Sequence, residues 1–162
     1  MQSEISPNGY EPKVVAFACQ YCPYSAADLA GPTGNAYPAN VRVIKLPCGG
    51  KSDVLFILDA FENGADAVFV AACLDGNCHH GEGNLRAKRR LILAKKLLNE
   101  LGIESERVDI YQMSGGESAT FARAAREMTD IAKRLGPTPL NRRKAEKTAT
   151  VPGERPAGPP NQ

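Results

Sequence analysis

The sequence contains no tryptophan, and aromatic residues make up only 6% of its 162 positions. Stacking platforms that hold single-stranded nucleic acid are therefore not expected. Nor is there a charge excess: 20 Lys and Arg stand against 18 Asp and Glu, a formal +2, too little for a nucleic-acid footprint or a basic membrane-binding surface. No apolar run approaches the roughly 20 residues that span a bilayer, and residues 1–12 are polar with no apolar leader core. The expected location is the cytoplasm, with neither nucleic acid nor membrane insertion. Also missing are a G-x-G-x-x-G after the first strand-like run and a G-x-x-x-x-G-K-[ST], so dinucleotide and P-loop binding lack their usual support. Asp28, Asp53, Asp66 and Asp75 are scattered and read as caps, turns or solvated residues rather than an acid–base pair. No catalytic site of the chain's own is expected.

What is present is an alternation of two periodicities. Lys13 to Ala18, Val41 to Leu46, Ala67 to Ala72 and Arg107 to Gln112 are short β-branched and apolar runs, which read as buried strands. Between them Val54, Leu55, Ile57, Leu58 and Phe61 repeat at helical spacing up to Asn63-Gly64, and a longer amphipathic stretch runs from Asn84 to Leu101 before Gly102. Ser114-Gly115-Gly116-Glu117 has the form of a capping box ahead of a last helix ending at Gly136, and Tyr24 to Ala30 reads as a short first helix. Alternation of this kind predicts an α/β fold: a small flavodoxin-like parallel sheet of about four strands with helices on both faces. The expected domain is 13–135, with residues 1–12 a flexible N-terminus. Residues 136–162 hold six prolines and a charge of +3 and read as a Pro-rich basic disordered tail, whose removal from residue 140 should cost little stability.

The five cysteines follow this frame. Cys19, Cys48 and Cys73 stand close behind the ends of strand runs, and Cys22 and Cys78 lie in the following loops. The carboxyl ends of parallel strands share one edge, where ligands bind, so all five sulfurs are expected at one site. In a reducing cytoplasm they read as metal ligands or redox thiols rather than disulfides. Cys19-x2-Cys22 and Cys73-x4-Cys78 form two chelating pairs, suited to a tetrahedral four-thiolate zinc or to a cluster with two cysteines on each iron. The paired residues Cys19, Cys22, Cys73 and Cys78 are the expected metal ligands, with Cys48, alone behind Pro47, as a thiol beside them. The size of the domain favours a redox cluster over a structural zinc, which usually holds together small units with little core of their own. Cys19-x2-Cys22-Pro23 also has the form of a thiol–disulfide active site, although that leaves the other three cysteines unexplained. His79-His80 reads as a source of hydrogen-bond donors or partner contacts rather than as ligands. Flavin is not expected, because cysteines occupy the first loop in place of a phosphate-binding turn.

The segments FACQYCPYSAADLAG, VRVIKLPCGGKSD and GADAVFVAACLDGNCHHGEGNLRAKRR, with Cys78-His79-His80-Gly81-Glu82-Gly83-Asn84 inside the third, resemble the delta (iron–sulfur) subunit family of methyl-viologen-reducing hydrogenase. The resemblance spans residues 13–135. It implies a flavodoxin-like fold and one 2Fe-2S cluster. It also implies electron transfer between a hydrogenase or other dehydrogenase-type donor and the flavin subunit of a heterodisulfide-reductase-type complex. Cys19, Cys22, Cys48, Cys73 and Cys78 all fall on the family's cysteine positions, and the motif leaves open which four bind iron.

Overall fold

A strand buried on both faces must carry apolar side chains in both directions, and the six residues of the third run, AVFVAA, are all buried. The structure, a computed structural model, describes residues 9–149, with side chains to residue 145. Four parallel strands, β1 (Val14–Cys19), β2 (Val41–Leu46), β3 (Ala67–Ala72) and β4 (Val108–Gln112), form one sheet in the order β2-β1-β3-β4. This is the flavodoxin-like order without a fifth strand. Register is continuous across the sheet: Ala16 pairs with Val43 on one side and with Phe69 on the other.

The helices are α1 (Cys22–Ala30), α2 (Val54–Glu62), α3 (Gly83–Glu100), α4 (Ser118–Leu135) and α5 (Pro139–Ala149). The path moves outward from β1 to β2, then back across β1 to β3 and on to β4. Right-handed crossovers therefore put helices on opposite faces after the reversal. Phe121, Ala124, Ala125 and Met128 of α4 join Ala26 and Ala27 of α1 over Ala16, Phe69 and Ala71. On the other face Ile57 and Phe61 of α2 and Ala87, Leu91 and Leu98 of α3 pack on Phe17, Val68 and Val70. Alternate residues of β1 and β3 thus serve opposite cores, as a two-residue period requires.

Two expectations are corrected. Ser114 does not head α4: the Glu117 carboxylate accepts the Ser114 N–H at 2.6 Å, but the helix begins only at Ser118. The segment closes as a turn before the helix, with the Glu117 N–H donating to the Ser114 carbonyl at 3.3 Å. Within 136–162, residues 139–149 form α5. Thr138 Oγ1 accepts the Asn141 N–H at 3.2 Å, and Pro139 occupies the first helical position, where its missing N–H costs nothing. Pro139 here starts a helix. Residues 1–8 and 150–162, expected to be disordered, lie outside the described residues.

α5 is anchored by Asp66, which is 2% exposed. Its carboxylate accepts from the Lys13 N–H at 3.0 Å, the Thr138 N–H at 3.3 Å and Asn141 Nδ2 at 2.7 Å. Next to it the fully buried Arg107 donates to the carbonyls of Asp66, Leu135 and Gly136 and pairs with Glu104, and Leu140 packs on the α2–α3 core. Removing the Asp66 carboxylate leaves the buried Thr138 N–H without this acceptor and takes a partner from the part-buried Lys13 N–H and Asn141 Nδ2, at a cost of about 1–3 kcal/mol. Asp66→Ala should thus lower the melting midpoint by roughly 5 °C, and a chain ending at residue 138 should also melt earlier than the full chain. An unchanged midpoint in calorimetry for both would show that α5 does not contribute to the domain.

Candidate metal centre

Because β3 pairs directly with β1, the chain places Cys19, the last residue of β1, beside Cys73, the residue after β3. Their sulfurs are 3.9 Å apart, and each residue is 2% exposed. This is the point in the sheet where the strand order reverses, the usual location of a ligand crevice. Cys22 is the first residue of α1 and is half-buried. Cys48 precedes a 3-10 turn, Gly49–Lys51, and its sulfur accepts the Gly50 N–H at 3.4 Å.

Cys48 does not stand alone. It meets Cys78 at Gly83, where a Cβ would fall 2.2 Å from Cys48 Sγ and 3.1 Å from Cys78 Sγ. Only glycine leaves room there for both sulfurs. Gly50 is equally constrained, since a Cβ on it would lie 2.8 Å from the Gly83 carbonyl oxygen. Arg90 secures this approach by donating to the Gly50 carbonyl and pairing with Asp53. The sulfurs therefore associate across the fold as Cys19 with Cys73 and Cys48 with Cys78, whereas sequence spacing couples Cys19 with Cys22 and Cys73 with Cys78. Among the described residues, no three or more His, Cys, Asp or Glu side chains close into a single metal shell.

The electrostatics differ from thiol to thiol. Burial pushes the Cys73 thiol well above its ordinary range, and the neighbouring Cys19 reinforces this. Burial also raises Cys48, with partial relief from the Gly50 N–H. At Cys78 burial acts in the same direction, but the backbone N–H groups of Asn84, His80 and Gly83 outweigh it and the thiol is lowered. Amides at the start of α3 thus favour negative charge on this sulfur. Thiolates with backbone N–H donors around them are a donor set for a soft metal or an iron–sulfur cluster. A metal cation arriving here displaces protons from the buried thiols.

Several further residues shape the rim, of which Tyr21, Lys88 and Gln112 are given no role by the sequence alone. The Tyr21 ring stacks on His79 with centroids 4.0 Å apart and meets His80 edge-on at 5.7 Å, joining the Cys19–Cys22 loop to the Cys78 loop. Both histidines are exposed. Asp75, read as a solvated or turn residue, accepts from Asn84, Lys88 and Gln112. Pro23 is buried, while Leu74 is half-buried near the sulfurs. The placement of Tyr21 between two cysteines and of Asn84 at a helix start was visible in the sequence. Their partners, distant along the chain, were not.

The family model for the methyl-viologen-reducing hydrogenase delta subunit matches residues 14–136. The chain is 47% identical over 130 residues to the vhu iron-sulfur subunit of the F420-non-reducing hydrogenase of Methanococcus maripaludis, covering 80% of this chain and 97% of that one. The corresponding protein of Methanopyrus kandleri is 52% identical over 128 residues, covering 78% and 96%. A third relative is a subunit of the ferredoxin/F420H2-dependent CoB-CoM heterodisulfide reductase of Methanosarcina acetivorans. It is 36% identical over 126 residues, which make up 78% of this chain but only 16% of that longer one.

The thiols should differ in reactivity in the metal-free protein. At neutral pH Cys78, less buried and with a lowered thiol pKa, should be alkylated first by iodoacetamide, and Cys19 and Cys73 last. Raising the pH should narrow the gap between Cys78 and Cys48, because the thiolate fraction of Cys48 is still climbing when that of Cys78 has levelled off. Peptide mass spectrometry measures the order, and faster labelling of Cys73 than of Cys78 would contradict the amide-lined environment assigned here.

Proposed function

The chain belongs to the methyl-viologen-reducing hydrogenase delta subunit family, and on that premise we propose that it is the electron-transfer component of a cytoplasmic redox complex. It holds a 2Fe-2S cluster and passes electrons from a hydrogenase- or other dehydrogenase-type donor to the flavin subunit of a heterodisulfide-reductase-type complex. The observation that carries this reading is the gathering of thiols at the strand reversal, with Cys19 and Cys73 3.9 Å apart and Cys48 and Cys78 sharing the space left by Gly83. The relatives support it, being named iron-sulfur subunits, as does the heterodisulfide reductase chain that contains a matching stretch. Among the described residues no helix is long and apolar enough to cross a membrane.

The cluster, when bound, supplies one-electron chemistry. This chain's residues bind, screen and orient it. Cys19, Cys22, Cys73 and Cys78 are the proposed ligands, with Cys48 against Cys78 at the edge. A second quartet replaces Cys22 with Cys48 and is favoured by one observation, the approach of Cys48 to Cys78 at Gly83. Backbone amides of His80, Gly83 and Asn84 face Cys78, and N–H groups directed at a ligand sulfur favour the reduced, more negative state. Tyr21 and His79 cover one side of the loops.

Anaerobically purified protein should contain iron and acid-labile sulfide in equal amounts, absorb in the visible, and give an EPR signal on one-electron reduction. Colourless protein with stoichiometric zinc would instead support a zinc-stabilised binding module. Thiol–disulfide activity lost in Cys22→Ser while iron is retained would return the oxidoreductase reading. Single Cys→Ser changes decide the quartet: iron retained only in Cys48→Ser supports the paired set, and iron retained only in Cys22→Ser supports the other.

Docking should be sensitive to the rim. Leu74→Glu and His80→Glu should each weaken association with the flavin-bearing partner while leaving the visible spectrum intact, as measured by calorimetric titration. Unchanged binding by both would move the partner surface to α3, where Ile92 and Leu93 are exposed beside Arg89 and Lys96.

A further inference from the structure

We propose that Asn84 is a positioning residue for the metal centre, fixing the Cys73 backbone relative to Cys78 and thereby setting the cluster's potential; this rests on the reading that these cysteines hold a cluster. Asn84 is the second residue of α3 and is 2% exposed. Its Nδ2 lies 3.4 Å from the Cys73 carbonyl oxygen, 3.2 Å from that of Leu74 and 2.9 Å from Asp75 Oδ1. Its Oδ1 accepts the Leu85 N–H at 3.0 Å, one of the donors that a helix start leaves without a partner.

The side chain therefore donates to the Cys73 loop and accepts from α3 at the same time. A carboxamide can do both. Aspartate has no donor and would face the Asp75 carboxylate, and alanine leaves the loop carbonyls without this partner. Helix propensity does not account for a buried asparagine here, because alanine is the better helix former, and the bond from Leu85 at the helix start leaves the Nδ2 side of the group unexplained. The backbone N–H of the same residue faces the Cys78 thiol. One residue thus touches the main chain at one cysteine and the sulfur of another.

The clamp has a second side. Gln112, the last residue of β4, donates to the Cys73 carbonyl at 2.9 Å and to Asp75 Oδ1 at 2.8 Å, and Lys88 pairs with Asp75 at 3.0 Å. Asp75 is the shared acceptor that holds the loop between α3 and β4. Cys19 is as buried as Cys73 but ends a strand, and no bond from Asn84 reaches it. Its sulfur lies 3.9 Å from that of Cys73, so it serves as the comparison that should respond less.

The test compares full-length wild type with Asn84→Ala, and with the near-isosteric Asn84→Asp should the alanine variant fold poorly. In metal-free protein, iodoacetamide labelling of Cys73 should accelerate about tenfold, the equivalent of one hydrogen bond's net contribution, while Cys19 accelerates less. In iron-loaded protein the variant should keep its iron and show a shifted midpoint potential and altered EPR g values. Equal acceleration at Cys19 and Cys73 with an earlier melt would reduce Asn84 to a general stabiliser and overturn the proposal, as would an unchanged Cys73 rate or an unchanged potential. Wild-type protein that takes up no iron and sulfide refutes the cluster reading by itself. The Cys73-to-Cys19 labelling ratio would then still decide whether Asn84 holds the loop.

Discussion

Everything in this structure depends on β3 pairing with β1 rather than with β2. That choice reverses the strand order, sends α2 and α3 to the face opposite α1 and α4, and encloses β1 and β3 on both sides. Enclosure demands small apolar residues, and the two central strands supply Ala16, Ala18, Ala67, Ala71 and Ala72, all buried. The same pairing brings Cys19 and Cys73 together where the strands stop. A sulfur pair with little exposure is then a by-product of how the sheet closes.

Holding thiols in that position creates an electrostatic conflict that the surrounding backbone resolves in part. Burial favours the protonated thiol at Cys73 and Cys48, whereas amides at the start of α3 favour the thiolate at Cys78. The glycines matter here for their volume. Gly83 leaves room for two sulfurs, and Gly50 lets the 3-10 turn meet α3. A methyl group at either position collides with neighbouring atoms, whatever the local backbone prefers.

The central strands were legible because β1 and β3 are buried on both faces and their runs are apolar. β2, expected to be buried as well, is an edge strand with Arg42, Ile44 and Lys45 exposed, yet β2 and β3 carry the bounds expected of them. The convergence of cysteines on one edge followed from parallel topology alone. What local pattern could not supply was which sulfurs become neighbours. Cys48 and Cys78 are brought together by a helix start far from Cys48 in the sequence, and chelate spacing carries no trace of that. The start of α5 was written in Thr138-Pro139, but six prolines in a basic segment outweighed it. Proline is a breaker inside a helix and a good first residue, and the hydroxyl before it distinguishes the two cases. The Ser114-x-x-Glu117 spacing was real as a hydrogen bond and misleading as a helix boundary.

Asp66 joins the two ends of the described fold. One carboxylate receives an N–H from Lys13, at the entrance to β1, and donors from Thr138 and Asn141, at the exit from α4. Strand entrances lie at the opposite edge of the sheet from the cysteines, so the polypeptide enters and leaves through one doorway remote from the sulfurs. A module with such a doorway can be spliced into another polypeptide without unthreading its core or disturbing its thiols. The same fold can therefore serve as a free-standing protein in one genome and as a small part of a much longer chain in another.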